Sequence, residues 1–183
     1  MSFECLKSDK RRKGVLSDWE IWLREADRLY CRYLEEIEES PFNFNEVSAV
    51  GFLSSAAARS GFLTLNEYEI IKRDQSDRRR KRPGRADLWL NGEKRSYSFE
   101  FKRAWHAATI HNLESTLSSA RGDIDVVDKD ESHYAAGVVL AYVRDEHRIE
   151  RYRNFAQHES VDVAYRIGPD GEAGGYLFFS IKG

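Results

Sequence analysis

The segment Tyr134 to Val143, "YAAGVVLAYV", is apolar almost throughout. A strand with one wet face alternates polar and apolar residues, so a run without alternation reads as a strand covered on both faces. Such a strand belongs inside a sheet with helices above and below, which points to a three-layer α/β domain. The run is also far too short to span a bilayer.

The neighbouring segments supply the other layers. Ser17-Asp18-Trp19-Glu20 has capping-box spacing, and Trp19, Trp22, Leu23, Ala26, Leu29, Tyr30, Tyr33, Leu34 and Ile37 recur at helical intervals. This predicts a long amphipathic helix ending near Ser40-Pro41. Asn45 is placed to cap a second helix, Glu46 to about Ser60, which Gly61 stops. Phe62 to Lys72 reads as a strand. "RRRKRPGR", residues 78–85, with six positive side chains around Pro83-Gly84, reads as a loop. Strands at about 85–91 and 95–103 follow, then a helix from His106 to about Arg121 with Ile110, Leu113, Leu117, Ala120 and Ile124 on one face. After the apolar strand come a helix from Arg148 to His158 and a pair of strands, Val161 to Ile167 and Tyr176 to Ile181. The predicted order is α-α-β-β-β-α-β-α-β-β.

At 183 residues the chain suits one sizeable core, so 1–183 is expected to be a single domain with a helical extension over about 1–41. The first dozen residues, with Lys7, Lys10, Arg11 and Arg12, are expected to form a solvated arm. A net charge of −2 gives no whole-protein field to attract nucleic acid, so any such binding must come from local patches. Cys5 and Cys31 lack the spacing of a disulfide framework, and no signal-like apolar stretch opens the chain. A reducing, cytoplasmic setting without membrane contact is the expectation.

The chemistry is concentrated in "GRADLWLNGEKRSYSFEFKRAW", Gly84 to Trp105. Alternation puts Ser98, Glu100 and Lys102 on one strand face and Tyr97, Phe99 and Phe101 on the other. The preceding strand is expected to set Arg85, Asp87 and Trp89 against Ala86, Leu88 and Leu90 in the same way. Carboxylates are the ligand type for hard divalent cations, and Lys102 lies ~7 Å along the strand from Glu100. A lysine there can orient water or stabilise charge on a phosphate oxygen. A solvated face with cross-strand ion pairs would use the same residues. The hairpin itself offers two registers. A tight Asn91-Gly92 turn would set Asp87 opposite Ser96 and leave Glu100 ~13 Å away. A turn at Glu93-Lys94, or a longer loop, would set Asp87 opposite Glu100. Only the second makes a shared site, and it is the one predicted.

Asp87, followed after twelve residues by Glu100-Phe101-Lys102, resembles the PD-(D/E)XK nuclease superfamily, also called restriction-endonuclease-like. The predicted elements over roughly 45–143 match that family's α-β-β-β-α-β core, with the first helix and the last strands as additions. Ala86 stands where the motif has proline. The resemblance implies a Mg²⁺- or Mn²⁺-dependent endo- or exodeoxyribonuclease. Asp87, Glu100 and the Phe101 carbonyl would be its metal ligands and Lys102 its catalytic lysine. Many members add a Glu on the preceding helix. Glu46 is the candidate here, although the helix macrodipole explains its position equally well; Glu67 and Glu69 are weaker substitutes. The alternative is a non-catalytic module of the same fold, binding nucleic acid or a protein.

Beside such a site Arg78, Arg79, Arg80, Lys81, Arg82 and Arg85 become a candidate phosphate clamp for DNA, with RNA also open. A homo-oligomer is compatible with the sequence. His106 and His111 could reach substrate but read more simply as structural. The acidic run Asp123, Asp125, Asp128, Asp130 and Glu131 lacks the glycine and terminal Glu of a calcium loop and reads as solvated.

Overall fold

The apolar run forms β5 (Tyr134–Tyr142), the middle strand of a seven-stranded sheet, buried from Ala135 to Ala141. In the computed structural model residues 3–9, 12–73, 80–104, 109–143, 146–169 and 174–182 are described. The chain runs β1 (Glu4–Lys7), α1 (Lys13–Ile37), α2 (Glu46–Arg59), β2 (Leu63–Arg73), β3 (Lys81–Asn91) and β4 (Ser96–Arg103). It continues with α3 (Ile110–Asp125), β5, α4 (Glu146–Ala156), β6 (Val163–Ile167) and β7 (Gly175–Ile181). The sheet order is β1-β6-β7-β5-β4-β3-β2, with β4 and β5 parallel and the other pairs antiparallel.

Helices cover both faces, so the domain is a three-layer mixed α/β structure. On one face α1 and α2 bury Trp19, Trp22, Leu23, Tyr30, Phe52 and Leu53 against Leu88, Leu90, Phe99, Val138 and Phe179. Trp19 lies 4.7 Å from Phe179, centroid to centroid, and Trp22 5.3 Å from Phe99. The Trp22 indole N–H donates to the Leu53 carbonyl at 2.8 Å, which satisfies the one polar atom of a fully buried ring and ties α1 to α2. On the other face α3 and α4 set Leu113, Leu117, Tyr152 and Phe155 against Val139, Ala141, Ala164 and Phe178. The helices' opposite sides are charged, as in the Glu25–Arg28 and Arg32–Glu36 pairs of α1.

Several boundaries differ from the sequence reading for identifiable reasons. The amino-terminal segment is not a loose arm over Glu4–Lys7: it pairs with β6, with Glu4 opposite Arg166, and Arg153 of α4 holds the Glu4 carboxylate at 2.7 Å. Helix α1 starts at Lys13 rather than at the capping box, and Ser17 sits inside it, its hydroxyl donating to the Gly14 carbonyl. Helix α3 is displaced to Ile110–Asp125, capped by the Thr109 side chain, which accepts from the Asn112 amide. Helix α2 is as predicted, with Asn45 accepting from Ser48 N–H at 2.7 Å.

The largest correction concerns the basic segment. Lys81 to Arg85 are not a loop but the first part of β3, paired with the end of the long β2: Ile70 faces Gly84, Ile71 faces Pro83 and Lys72 faces Arg82. Proline fits there because the described β3–β4 ladder reaches back only to Leu88, so this stretch has a strand partner on one side. Arg78 and Arg79 lie outside the described residues, as does His106.

Candidate functional site

The β3–β4 ladder runs Asn91↔Ser96, Leu90↔Tyr97, Trp89↔Ser98 and Leu88↔Phe99. The Gly92 amide donates to the Arg95 carbonyl at 2.9 Å, so the turn residues are Glu93 and Lys94. Asn91-Gly92 therefore does not form the tight turn that its composition favours. Gly92 instead accommodates the Phe62 ring, whose Cε1 would lie 3.0 Å from an added Cβ. In this register the next position sets Asp87 opposite Glu100.

At that point the sheet forks. Strand β4 stays parallel with β5 as far as Arg103, opposite Leu140, while the β2–β3 ribbon turns away. Two β4 amides on the vacated edge are satisfied by carboxylates: Phe101 N–H donates to Asp87 Oδ2 at 2.6 Å and Arg103 N–H to Glu46 Oε2 at 2.9 Å. The Arg103 guanidinium also binds the carbonyls of Asn43 and Phe44, which anchors the segment leading into α2. Glu46 thus stands at the fork for a structural reason.

The alternation of β3 breaks at the same place. Leu88 and Leu90 pack towards α1 and α2, yet Ala86 packs with Ile70, Ile124 and Val127 on the other face. The expected single face for Ala86, Leu88 and Leu90 is thereby corrected. Glu67, on β2 across from Asp87, has φ of 49°, a left-handed conformation that costs a non-glycine residue of order 1 kcal/mol and changes the direction of the strand pleat. A cavity of about 40 Å³ at this break is lined by Glu46, Val47, Val50, Asn66, Glu67 and Asp87.

Glu100 is buried, and the half-buried Asp87 carboxylate stands opposite it in this register. Burial, with the Asp87 charge added, pushes the Glu100 pKa up to about 7 against the opposing pull of Lys72. Burial raises Asp87 as well, and Glu46 is raised by burial and by Asp87. Lys102 reaches the opposite flank of the fork. Its ammonium lies 3.1 Å from Asp123 of α3, and although burial works against the cation, Asp123, Glu100 and Asp87 lift its pKa. The fork thus gathers Asp87, Glu100 and Lys102, with Glu46 at its edge.

Three residues at the fork carry roles that the sequence did not assign. Lys72, read as the end of a strand, forms an ion pair with Glu100. It can do so because its stem crosses β3 over Gly84, where an added Cβ would lie 2.7 Å from Lys72 Cδ. Asp123, read as solvated loop, is in α3; its place one step from Ile124 on the apolar stripe was a usable signal. Glu67 was only a weak substitute ligand, yet it lines the cavity. Three more residues of the acidic run are engaged: Asp125 with Arg121, Asp128 with Lys81 and Arg73, and the Glu131 side chain with Ile71 N–H, while Asp130 is exposed.

Arg80, Lys81, Arg82 and Arg85 are all exposed, with Lys81 2.9 Å from Asp128 and Arg85 3.8 Å from Glu67. His111 is exposed on α3. Among the described residues no group of three or more His, Cys, Asp or Glu is arranged to hold a metal ion, and no helix is long and apolar enough to cross a membrane. The larger clefts, about 650 Å³ beside Tyr33 and Phe44 and about 450 Å³ beside the Glu93-Lys94 turn, do not contain the Asp87–Glu100–Lys102 cluster. Compared with known proteins, the chain matches no family model, no curated protein and no solved structure.

Proposed function

We propose that this protein is a metal-dependent nuclease of the PD-(D/E)XK type, hydrolysing phosphodiester bonds in DNA. One observation carries the reading: the register sets Asp87 opposite Glu100, at a fork that also holds Lys102. A solvated face of ion pairs does not account for it, because Glu100 is buried and Asp87, opposite it, adds a second negative charge. The run α2-β2-β3-β4-α3-β5 supports a restriction-endonuclease-like core as the finer description of the domain.

The donor set suits Mg²⁺ or Mn²⁺. A buried Glu100 facing the half-buried Asp87 favours a proton or a cation between the two carboxylates, and hard cations are held by one or two carboxylates with water making up the shell. Asp87, Glu100 and the Phe101 carbonyl would hold the ion. Bound there, it would supply Lewis acidity towards a phosphate oxygen and a water. Lys102, held cationic and oriented by Asp123, presents positive charge to an entering phosphodiester. Glu46 fixes the edge of β4 through the Arg103 amide. Arg80 and Arg82 offer charge to the flanking phosphates.

A second reading, a non-catalytic module of the same fold, is favoured by a separate observation: Lys72 and the Phe101 amide already occupy Glu100 and Asp87. Incubating supercoiled, linear and single-stranded DNA with Mg²⁺ or Mn²⁺, wild type beside Lys102→Ala, decides between them. Cleavage by wild type that Lys102→Ala loses supports the nuclease. Binding without cleavage in either protein supports the module.

A further inference from the structure

We infer that Lys72 is a resident counter-ion of the site, holding the position beside Glu100 that a divalent cation must take. The inference rests on the nuclease reading and adds to it a residue outside the Asp87–Glu100–Lys102 pattern. Three features point the same way. First, Lys72 belongs to β2, two strands from Glu100, so an ion pair between them is not a neighbour contact that any exposed lysine would make. Second, its path is built. Gly84 leaves the crossing open, since a Cβ there would meet Lys72 Cδ at 2.7 Å and Cγ at 2.8 Å. Third, both partners are largely removed from water, with side-chain exposures of 14% for Lys72 and 5% for Glu100.

A buried carboxylate beside a second carboxylate is costly unless charge compensates it. Lys72 provides that compensation when no cation is bound, and so holds the fork together in the metal-free protein. A divalent ion seated on Glu100 competes with the Lys72 ammonium for the same carboxylate. The ammonium is then repelled by the ion, and its flexible stem can swing it towards the anionic backbone of a bound substrate. Metal and nucleic acid entry are coupled in this scheme: each anion that receives Lys72 lowers the cost of releasing it from Glu100.

The test is Mn²⁺ binding, measured by calorimetry without DNA, for wild type, Lys72→Met, Lys72→Arg, Gly84→Val and Glu100→Gln, with each fold checked by circular dichroism. Losing a charge-assisted competitor should tighten Mn²⁺ binding about tenfold in Lys72→Met. Gly84→Val keeps the lysine but closes its path, and should tighten binding in the same direction. Lys72→Arg should stay near wild type, and Glu100→Gln should lose the site. Mn²⁺ binding by Lys72→Met alone would also support the inference. Equal or weaker binding in both Lys72→Met and Gly84→Val, with binding in wild type that Glu100→Gln abolishes, overturns the counter-ion role and leaves the nuclease reading standing. No Mn²⁺ binding in any folded variant overturns both.

Discussion

Asp87 stands opposite Glu100, one position beyond the last pair of the β3–β4 ladder, and burial together with the Asp87 charge raises the Glu100 pKa. The same two residues mark where the sheet divides, so the fork that opens space for a ligand is lined by groups able to hold one. Both Asp87→Asn and Glu100→Gln should abolish Mg²⁺ or Mn²⁺ binding by calorimetry, because neither remaining carboxylate suffices for a cation that dehydrates reluctantly. Circular dichroism should be unchanged, since the side-chain amide oxygen introduced by Asp87→Asn can still accept from Phe101 N–H. Wild-type affinity in both variants would place metal binding elsewhere.

Lys102→Ala should reduce cleavage on the order of 10²- to 10³-fold, the scale for losing one preorganised charge beside a developing anion. Asp123→Asn should produce a smaller loss, because Asp123 acts through Lys102 by orienting it. The pH–rate profile separates the roles: a purely structural Asp123 would lower the rate without altering the profile.

Gly137 lies beside Glu100 in the parallel β4–β5 ladder and lets α3 approach the sheet closely, with an added Cβ only 2.5 Å from the Ala120 carbonyl carbon and the Arg121 nitrogen. Those are backbone atoms, so no side chain can swing aside. Gly137→Ala should cost ~1–3 kcal/mol, lowering Tm by several degrees, and it should shift Asp123 relative to Lys102. Thermal unfolding and the cleavage rate should fall together. An unaltered Tm would mean that α3 yields at no cost.

How far the sequence revealed this site depends on the range of the interactions involved. Helix α2 was legible because its signals, Asn45 and Gly61, act within one turn. The faces of β4 were legible because alternation is local. The register was not decided by local rules: Asn91-Gly92 argued for the wrong turn, and Gly92 instead lies against the Phe62 ring, just before β2 and some thirty residues upstream. Strand β1 escaped notice because its partner β6 lies some 160 residues downstream. Lys81 to Arg85 looked like a loop by composition, and only pairing with β2 makes them a strand. Lys72 could not be assigned, since its reach to Glu100 depends on Gly84 being its neighbour in space.

If nucleic acid is the partner, affinity should depend on the basic segment before and within β3. Replacing Arg78, Arg79, Arg80 and Arg82 by Ser should weaken DNA binding across sequences and flatten the salt dependence by roughly one unit of slope per lost phosphate contact. Lys81 is left in place because Asp128 uses it. Fluorescence anisotropy at several salt concentrations gives the slope directly, and an unchanged slope would retire the segment as a clamp.

The two helices on the α1/α2 face should come apart more easily in acid, for a reason that can be isolated at one residue. Glu25 Oε1 accepts from Arg28 at 2.7 Å within α1 and from Arg59, in the last turn of α2, at 2.6 Å. The Arg28 hydrogen bond, aided by Arg59 and opposed by partial burial, lowers the Glu25 pKa to about 2 from its ordinary 4.5. For an acid whose folded pKa is depressed, the stabilisation is fully present above the ordinary value and is lost as pH falls through the folded one. Both arginines are exposed, so solvent screens the pair and its contribution is ~1 kcal/mol, equivalent to roughly 2–4 °C in Tm. Glu25→Gln should therefore unfold at lower temperature than wild type at pH 7, and the gap should close between about pH 4.5 and 2. Arg59→Gln should remove part of the gap, and the double variant should lose less than the two single variants together. A gap of the same size at both ends of that pH range would show that Glu25 acts by packing and not by charge.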